Sequence, residues 1–212
     1  MTPVVSEASE VPRGWRPVRL GDVIADAQPG FAAGERDPEG IVQLRMNNVT
    51  TSGRLDWSSF VRVPRPNQDA AAYELQPGDV VFNNTNSAEL VGKSALFDGY
   101  AEPVAYSNHF TRLRTSAELE PGYLASWLNS QWRAGVFSAI CNRWIGQAAV
   151  SREKLLGLVM PLPPLDEQRR IIAILDEQMA AVERARTAAE QQLHAIQGLP
   201  AVLLRRAFGG EL

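Results

Sequence analysis

Several residue clusters in this chain carry the right types for chemistry, and each fails on spacing. Ser87-Ala-Glu-Leu-Val-Gly92-Lys93-Ser94 comes near a phosphate-binding loop. Ser87 stands where that loop needs its first glycine. The residues after Ser94 read as a strand, not as the helix whose N-terminal N–H groups would hold a phosphate. Asp79, Glu89 and Lys93 are the residue types of a metal-dependent nuclease. Such a site needs acid and lysine on alternate residues of one strand, so that both face one phosphate; here three residues separate Glu89 from Lys93. His109 and His194 lie far apart, with no cysteine or acid at metal-ligand spacing. No Gly-x-Gly turn follows a strand to bind S-adenosylmethionine, and no Asn-Pro-Pro-aromatic stretch supports amino methylation. Cys141, the sole cysteine, lies in the apolar helical run Val136, Phe137, Ala139, Ile140 and is expected to be buried and inert. The expectation is a chain with no catalytic centre, metal or cofactor of its own.

The elements that could position a binding surface are clearer. Of the 212 residues, 45% are hydrophobic and 21% charged, which fits a globular domain with an appendage. The longest apolar runs, such as Val80–Phe82 and Ile171–Leu175, are too short to span a bilayer. Residues 1–11 are polar and acidic, without the basic-then-apolar pattern of a signal peptide, and read as a disordered arm. A single cysteine excludes an intrachain disulfide and points to a cytoplasmic protein. The net charge of −3 does not suggest a nucleic-acid binder, but its distribution allows one. Between Ala105 and Lys154 the cations Arg112, Arg114, Arg133, Arg143, Arg152 and Lys154 stand against Glu118, Glu120 and Glu153.

The texture changes at Pro161-Leu162-Pro163-Pro164, which divides a domain over 12–164 from a helical segment over 165–212. In the domain, Ile41–Met46 reads as a strand with Asn47-Asn48 as its exit, and Pro64–Asn67 as a loop. Val80–Phe82, after the turn Pro77-Gly78-Asp79, reads as a short buried strand. Ser94–Phe97, Val104–Tyr106 and Phe110–Leu113 are further strands. Pro121 opens a helix with an apolar face of Leu124, Trp127, Leu128, Trp132 and Val136, and Ser151 caps a short one. The class is α+β, mixed and strand-rich. Past the prolines, Asp166 is placed as an N-cap, and a long helix should run to about Gln197. Gly198 and Pro200 should end or kink it before a short helix carrying Leu203, Leu204 and Phe208. Leu175, Val182, Ala189, Ile196 and Leu203 recur every seven residues, and Ile171, Met179 and Leu193 widen the stripe. A seven-residue apolar repeat marks a helix that packs along another helix. A helix folded back on its own domain is the other arrangement.

Four blocks carry a family resemblance. Val11-Pro-Arg-Gly-Trp15 with Leu20-Gly-Asp22 comes first. Gln76-Pro-Gly-Asp79-Val-Val-Phe-Asn83, with Thr85 and Val91-Gly-Lys93, follows. Gly146-Gln147, Val150-Ser151 and Leu155 precede the junction Met160-Pro-Leu-Pro-Pro164-Leu-Asp-Glu167-Gln168-Arg169-Arg-Ile171. Together they resemble the specificity subunits of type I restriction–modification systems, from about Val11 to Leu212. The resemblance implies a non-catalytic, sequence-specific DNA-recognition subunit that directs methyltransferase subunits, and a restriction–translocase subunit, to a bipartite target. In that family two recognition domains alternate with two long helices that pack antiparallel as a spacer. One domain and one helix correspond to half of such a subunit. Two copies are therefore expected to form a homodimer through an antiparallel coiled coil and to read a palindromic site. The alternative is a protein–protein adaptor or decoy of such a complex that does not itself read DNA.

Base reading needs Arg for guanine and Asn or Gln for adenine, with Lys, Ser and Thr mostly on phosphate. The loop Asn83, Asn84, Thr85, Asn86, Ser87 is richest in such groups, although its amides could equally bond their own turn. Arg45, Asn47, Asn48 and Asn108, His109 form similar clusters at strand ends. Arg143, Trp144 and Gln147 make another around the flexible Gly146, with Trp144 also a candidate for the core. Lys93, Arg112 and Arg133 are candidate phosphate contacts.

Overall fold

A computed structural model describes residues 12–66 and 70–209. The expected arm, residues 1–11, and Asn67 lie outside them. The chain divides into two compact units between Arg169 and Arg170.

The first unit is built on two small sheets. In one, β2 (Ile24–Pro29), β9 (Phe110–Thr115), β5 (Val80–Asn83) and β7 (Ser94–Leu96) lie side by side in that order. All their pairings are antiparallel. In the other, β3 (Ile41–Leu44) sits between β4 (Val61–Val63), antiparallel, and β8 (Val104–Tyr106), parallel. β3, β5 and β8 are buried along their whole length, as their mostly apolar residues favour, and the two amide side chains among them, Gln43 and Asn83, are hydrogen-bonded to backbone carbonyls. The core gathers Val42, Leu44, Val81, Ala95, Phe97, Val104, Tyr106 and Phe110 from both sheets.

β1 (Arg16–Arg19) pairs antiparallel with β12 (Val159–Leu162), which joins the two ends of the domain. α1 (Pro121–Arg133) packs on β5 and β7 and has Pro121 at its first turn. It stops before Val136, which the apolar spacing had included. Gly135 takes φ 76, a left-handed value that ends the helix, and the chain restarts as α2 (Val136–Ile140). Phe137 of α2 meets Phe82 edge to face at 5.0 Å between ring centres. Gly92, at φ 96, lies against the Phe137 ring so closely that a Cβ would overlap it. Cys141 caps α2 and is half-buried, not buried as expected; its Sγ donates to the Ser138 carbonyl at 3.3 Å.

The remaining pieces are β6 (Thr85–Asn86), β10 (Asn142–Trp144), β11 (Gln147–Ala149) and α3 (Arg152–Leu156). They form a third sheet, β10-β11-β6, followed by a helix. The Ser151 hydroxyl accepts the Lys154 N–H at 3.2 Å, so Ser151 caps α3 as the sequence predicts.

The last helix, α4 (Leu165–Phe208), corrects two expectations. It begins at Leu165, with the Glu167 and Gln168 N–H groups both on the Pro164 carbonyl, so Asp166 lies within the first turn and does not cap it. There it complements the positive end of the helix dipole. The helix also continues through Gly198 and Pro200 as one element of 44 residues, roughly 66 Å at 1.5 Å per residue. Pro200 removes one helical N–H and crowds the carbonyl four residues earlier. The helix formers Ala201 to Arg206 carry the backbone on regardless.

The first turn of α4 belongs to the first unit through Gln168, which is fully buried. Its Oε1 accepts the Glu120 N–H at 2.8 Å, and its Nε2 donates to the Glu118 and Pro163 carbonyls, both at 2.9 Å. One amide thus saturates three backbone groups that would otherwise be buried unpaired. Gln168→Leu should lower unfolding stability by about 2–4 kcal/mol, from the cost of orphaned backbone groups. A urea midpoint equal to that of the unaltered protein would contradict this role.

Candidate nucleic-acid interface

Five strand ends meet at one rim of the domain. β3 and β8 run parallel, so Leu44 and Tyr106 finish together, and the Ser107 N–H bonds the Leu44 carbonyl at 3.1 Å. β5 and β9 are antiparallel, so Asn83 faces Phe110. β2 finishes opposite Thr111. The segments beyond these ends are therefore neighbours: Arg45–Asn48, Asn83–Ser87 and Asn108–His109. The sequence named all three, but only the parallel pairing of β3 with β8 brings the first against the third.

The Asn83–Ser87 segment is a bonded network. Asn83 is fully buried; its Nδ2 donates to the Thr85 carbonyl at 3.1 Å and the His109 carbonyl at 3.0 Å, and its Oδ1 accepts from Asn86 Nδ2 at 2.6 Å. Asn84 Nδ2 reaches Thr111 Oγ1 at 3.1 Å and the Asn108 carbonyl at 3.4 Å, and its Oδ1 accepts from Thr85 Oγ1 at 2.8 Å. The Ser87 N–H donates to Asn86 Oδ1 at 2.8 Å. Thr85 and Asn86 are a strand, not loop, because they pair with β11. Asn84, Thr85, Asn86 and Ser87 remain half-exposed.

Four residues expected at the surface are inside. Asn83 is one. Asn48 donates from Nδ2 to the carbonyls of Asp56 at 2.9 Å and Ser59 at 2.7 Å, and its Oδ1 accepts the Arg45 N–H at 2.9 Å. Lys93 is 6% exposed, and its Nζ donates to the carbonyls of Val49 and Met46. Arg112 is 2% exposed; it donates to the Ala72 carbonyl at 2.8 Å and Gln28 Oε1 at 2.7 Å and pairs with Asp26. Each is buried because the fold supplies carbonyl or carboxylate acceptors that no local sequence pattern reveals. Lys93 and Arg112 therefore brace the rim from beneath and are not phosphate contacts in this structure. The stretch that resembles a phosphate loop is a pair of turns: Leu90 and Val91 N–H both bond the Ser87 carbonyl, and Lys93 points inward.

The exposed candidates are Asn47, Asn108, Arg133, Arg143, Trp144 and Gln147, with Arg45 and His109 half-exposed. Arg133 donates to the Thr51 carbonyl at 2.9 Å and lies 5.9 Å from the Trp132 ring centre. At the rim, Arg45 Nε and Ser107 Oγ are buried without a hydrogen-bond partner among the described residues.

Residues 142–149 form a hairpin that the sequence does not announce. β10 and β11 are joined by the two-residue turn Ile145-Gly146, where Gly146 takes φ 77. Directly paired residues share a face. Asn86, Ala148 and Arg143 share the face toward the domain, since Ala148 is fully buried and Arg143 bonds the Ser138 carbonyl at 2.8 Å. Asn142, Trp144, Gln147, Ala149 and Thr85 share the other. Trp144 is 61% exposed, so it is not a core residue. Lys154 ties the hairpin to α3 by donating to the Ile140 carbonyl at 2.7 Å and Asn142 Oδ1 at 2.9 Å. Glu89, opposed by Arg143, is held below the usual carboxylate range, chiefly by its own backbone N–H and by Ser87.

Sequence reasoning missed Asp79 as a structural residue. It is buried, its two oxygens take Arg114 at 2.7 and 3.2 Å, and Oδ2 also accepts the Gln76 N–H at 2.8 Å. The signal was the turn residue pair Gly78-Asp79 before a buried strand. Among the described residues no group of His, Cys, Asp or Glu is placed to hold a metal ion, and no helix is long and apolar enough to cross a membrane.

Known proteins align with this arrangement. The family model described as the type I restriction modification DNA specificity domain matches residues 12–191. A Methanocaldococcus jannaschii protein named for the specificity subunit of the type I restriction enzyme MjaX is 30% identical over 175 residues, 81% of this chain and 41% of its own length. The StySPI specificity subunit of Salmonella potsdam is 22% identical over 94% of this chain and 43% of its own. The chain thus spans about two fifths of the length of these relatives. Among solved structures, the HsdS subunit from Thermoanaerobacter tengcongensis superposes with a TM-score of 0.61 at 26% identity, over 98% of this chain and 48% of that one. A chain from a study of assembly and conformational transition in a type I restriction–modification system gives 0.70 at 25% identity, over 98% and 49%.

Burial pulls the Lys93 pKa down from its ordinary value. Between the depressed value and the ordinary ~10.4 the unfolded chain binds the proton more often, so this group's contribution to stability rises with pH across that window. Lys93→Met should lack that rise. Paired urea titrations between pH 7 and 10 would show the difference between variant and parent stability shifting toward the parent as pH increases; a difference constant with pH would refute it.

Proposed function

Because the chain belongs to the type I restriction–modification DNA specificity domain family, we propose that it reads a DNA sequence with the rim formed by the ends of β2, β3, β5, β8 and the start of β9. The observation that carries this reading is the convergence of Arg45–Asn47, Asn84–Ser87 and Asn108–His109 on that rim, beside the exposed hairpin. Apart from Met46, these side chains are amides, hydroxyls, an imidazole and a guanidinium, polar groups able to meet base edges and phosphates. They stand on segments held by a rigid scaffold. The domain contributes recognition, and methylation and cleavage come from partner subunits: methyltransferase subunits, and a restriction–translocase subunit where restriction occurs. The setting is the cytoplasm.

The second element of the proposal is the helix. Leu175, Met179, Val182, Leu193, Ile196 and Leu203 of α4 are each 37–61% exposed, and Ala189 is exposed. An apolar stripe of this length needs an apolar partner. We assign it an antiparallel helix of the same kind, supplied by a second copy of the chain, which would set two readers in inverted orientation over a bipartite, palindromic site.

Selection of duplexes from a randomised pool should enrich one sequence motif, and Asn108→Ala and Gln147→Ala should each relax one base position by about 1–3 kcal/mol of discrimination. A pool that shows no enrichment with the parent protein would favour the adaptor reading. Light scattering at micromolar concentration should give a dimer, and Val182→Asp with Leu193→Asp should give a monomer whose domain still unfolds at the parent urea midpoint. A strictly monomeric parent would end the pairing proposal.

A further inference from the structure

The tip of the 142–149 hairpin has a property that base-edge reading does not need. Ile145 is fully exposed and Trp144 is 61% exposed. They are consecutive, at a two-residue turn whose glycine lets the chain reverse without strain. The presentation is firm. β11 is bonded on one side to β10 and on the other to β6, Lys154 fastens β10 to α3, and Arg143 fastens it to Ser138. A hydrophobic tip held out on so many bonds keeps its exposure; it cannot fold down onto the domain without breaking them.

What surrounds the tip narrows its partner. Asn142, Gln147 and Thr85 share the Trp144 face, the exposed Lys154 holds Asn142, and the exposed Arg143, opposed by Glu89, lies on the hairpin itself. A protein interface of ordinary strength needs about 800 Å² per partner with an apolar centre and polar rim. Two apolar side chains among amides and cations do not make one. They do match the wedge with which groove-binding proteins separate a pair of stacked bases, where an apolar side chain enters the step and flanking polar groups hold the edges. A two-stranded ribbon also has the width to enter a duplex groove.

We propose that the Trp144-Ile145 tip enters the DNA duplex at a base step beside the bases read by the rim, with Ile145 opening the step and Trp144 stacking on an exposed base. This rests on the DNA-reading proposal above. The partner is double-stranded DNA, not a protein, and the added function is local unstacking. Opening a step has a cost that depends on the step and is least for flexible pyrimidine–purine steps. The tip would therefore add selectivity at a position where no hydrogen bond reads the base.

The test uses the full chain and a duplex recovered by selection from a random pool with the parent protein, carrying 2-aminopurine in place of successive adenines. Binding should raise the fluorescence of 2-aminopurine at one step several-fold. Ile145→Ser should abolish that rise while leaving the urea midpoint unchanged, and Ile145→Leu should keep it. Trp144→Ala should weaken binding about tenfold, in line with the loss of one base–aromatic stack. If the parent binds its selected duplex and no position brightens, or if Ile145→Ser and Trp144→Ala bind and brighten like the parent, the wedge is wrong and DNA reading stands. If the variants bind DNA like the parent but no longer co-purify with methyltransferase subunits, the tip is a protein contact and the wedge is again wrong. If the parent enriches no duplex at all, both proposals fail together.

Discussion

The rim depends on one buried amide. Asn83 ends β5, and its backbone N–H bonds the Lys93 carbonyl while its carbonyl accepts the Gly92 N–H, which closes the 84–92 excursion. Its side chain donates to the carbonyls of Thr85 and His109 and accepts from Asn86. Two segments, β6 and the Asn108–His109 turn, are thus pinned to one side chain. A buried amide with all its partners present is worth keeping because each one left unmade costs the full desolvation of its mate. The same amide fixes β6, and β6 carries β11 and so the hairpin. Loop chemistry at this surface is specified from inside the domain, not from the surface itself.

Desolvation also decides which cations remain for a ligand. The local surplus of positive charge from Ala105 to Lys154 looks like a basic face in the sequence, yet Arg112 is buried and Arg114 is committed to the buried Asp79. Lys93 is likewise withdrawn. The exposed charge of that stretch is smaller than composition suggests: Arg133, Arg143, Arg152 and Lys154 remain exposed, partly offset by Glu118 and Glu153. A reader with so little free charge would gain less from counterion release and more from hydrogen bonding and shape. That is consistent with a rim rich in amides, and with an overall charge of −3.

Much of this was legible in the sequence, for identifiable reasons. Val80–Phe82 and Val104–Tyr106 are apolar runs bounded by turn residues, Phe110–Leu113 has apolar ends after the turn Ser107-Asn108, and all three are strands buried on both faces. Pro121 and Ser151 have fixed roles at helix starts, and both are found there. The hairpin escaped notice because Asn142 to Ala149 shows no alternation: its outer face holds two amides, a tryptophan and an alanine, and its strongest signal is Gly146. β1 and β12 escaped because each pairs with a segment at least 140 residues away. Asn48, Lys93 and Arg112 were misplaced at the surface because burial of a polar side chain depends on acceptors that come from distant segments. The end of the long helix was not legible because Gly198 and Pro200 are both helix breakers, while the mostly helix-favouring residues from Ala201 to Arg206 carry the helix past them.

Continuity of α4 through Pro200 bears on its stripe. Leu175, Val182, Ala189, Ile196 and Leu203 keep the same spacing on either side of the proline. Had the helix ended near Gln197, Leu203 would have belonged to another element and the repeat would have covered three heptad steps. As one helix it covers four. A seven-residue repeat slips roughly 20° per heptad on a straight helix, so four steps carry the stripe through about 80°. A straight partner would lose contact over that turn, whereas one that wraps with a left-handed twist keeps it. Pro200 lies between Ile196 and Leu203, where it removes a single backbone hydrogen bond, and helices yield most readily at such a point. A bend there can follow the partner's wrap without changing the register, because no residue is inserted or lost. Ala189, the smallest residue of the stripe, lies at its middle, where two antiparallel copies would cross the two-fold axis and need the closest backbone approach.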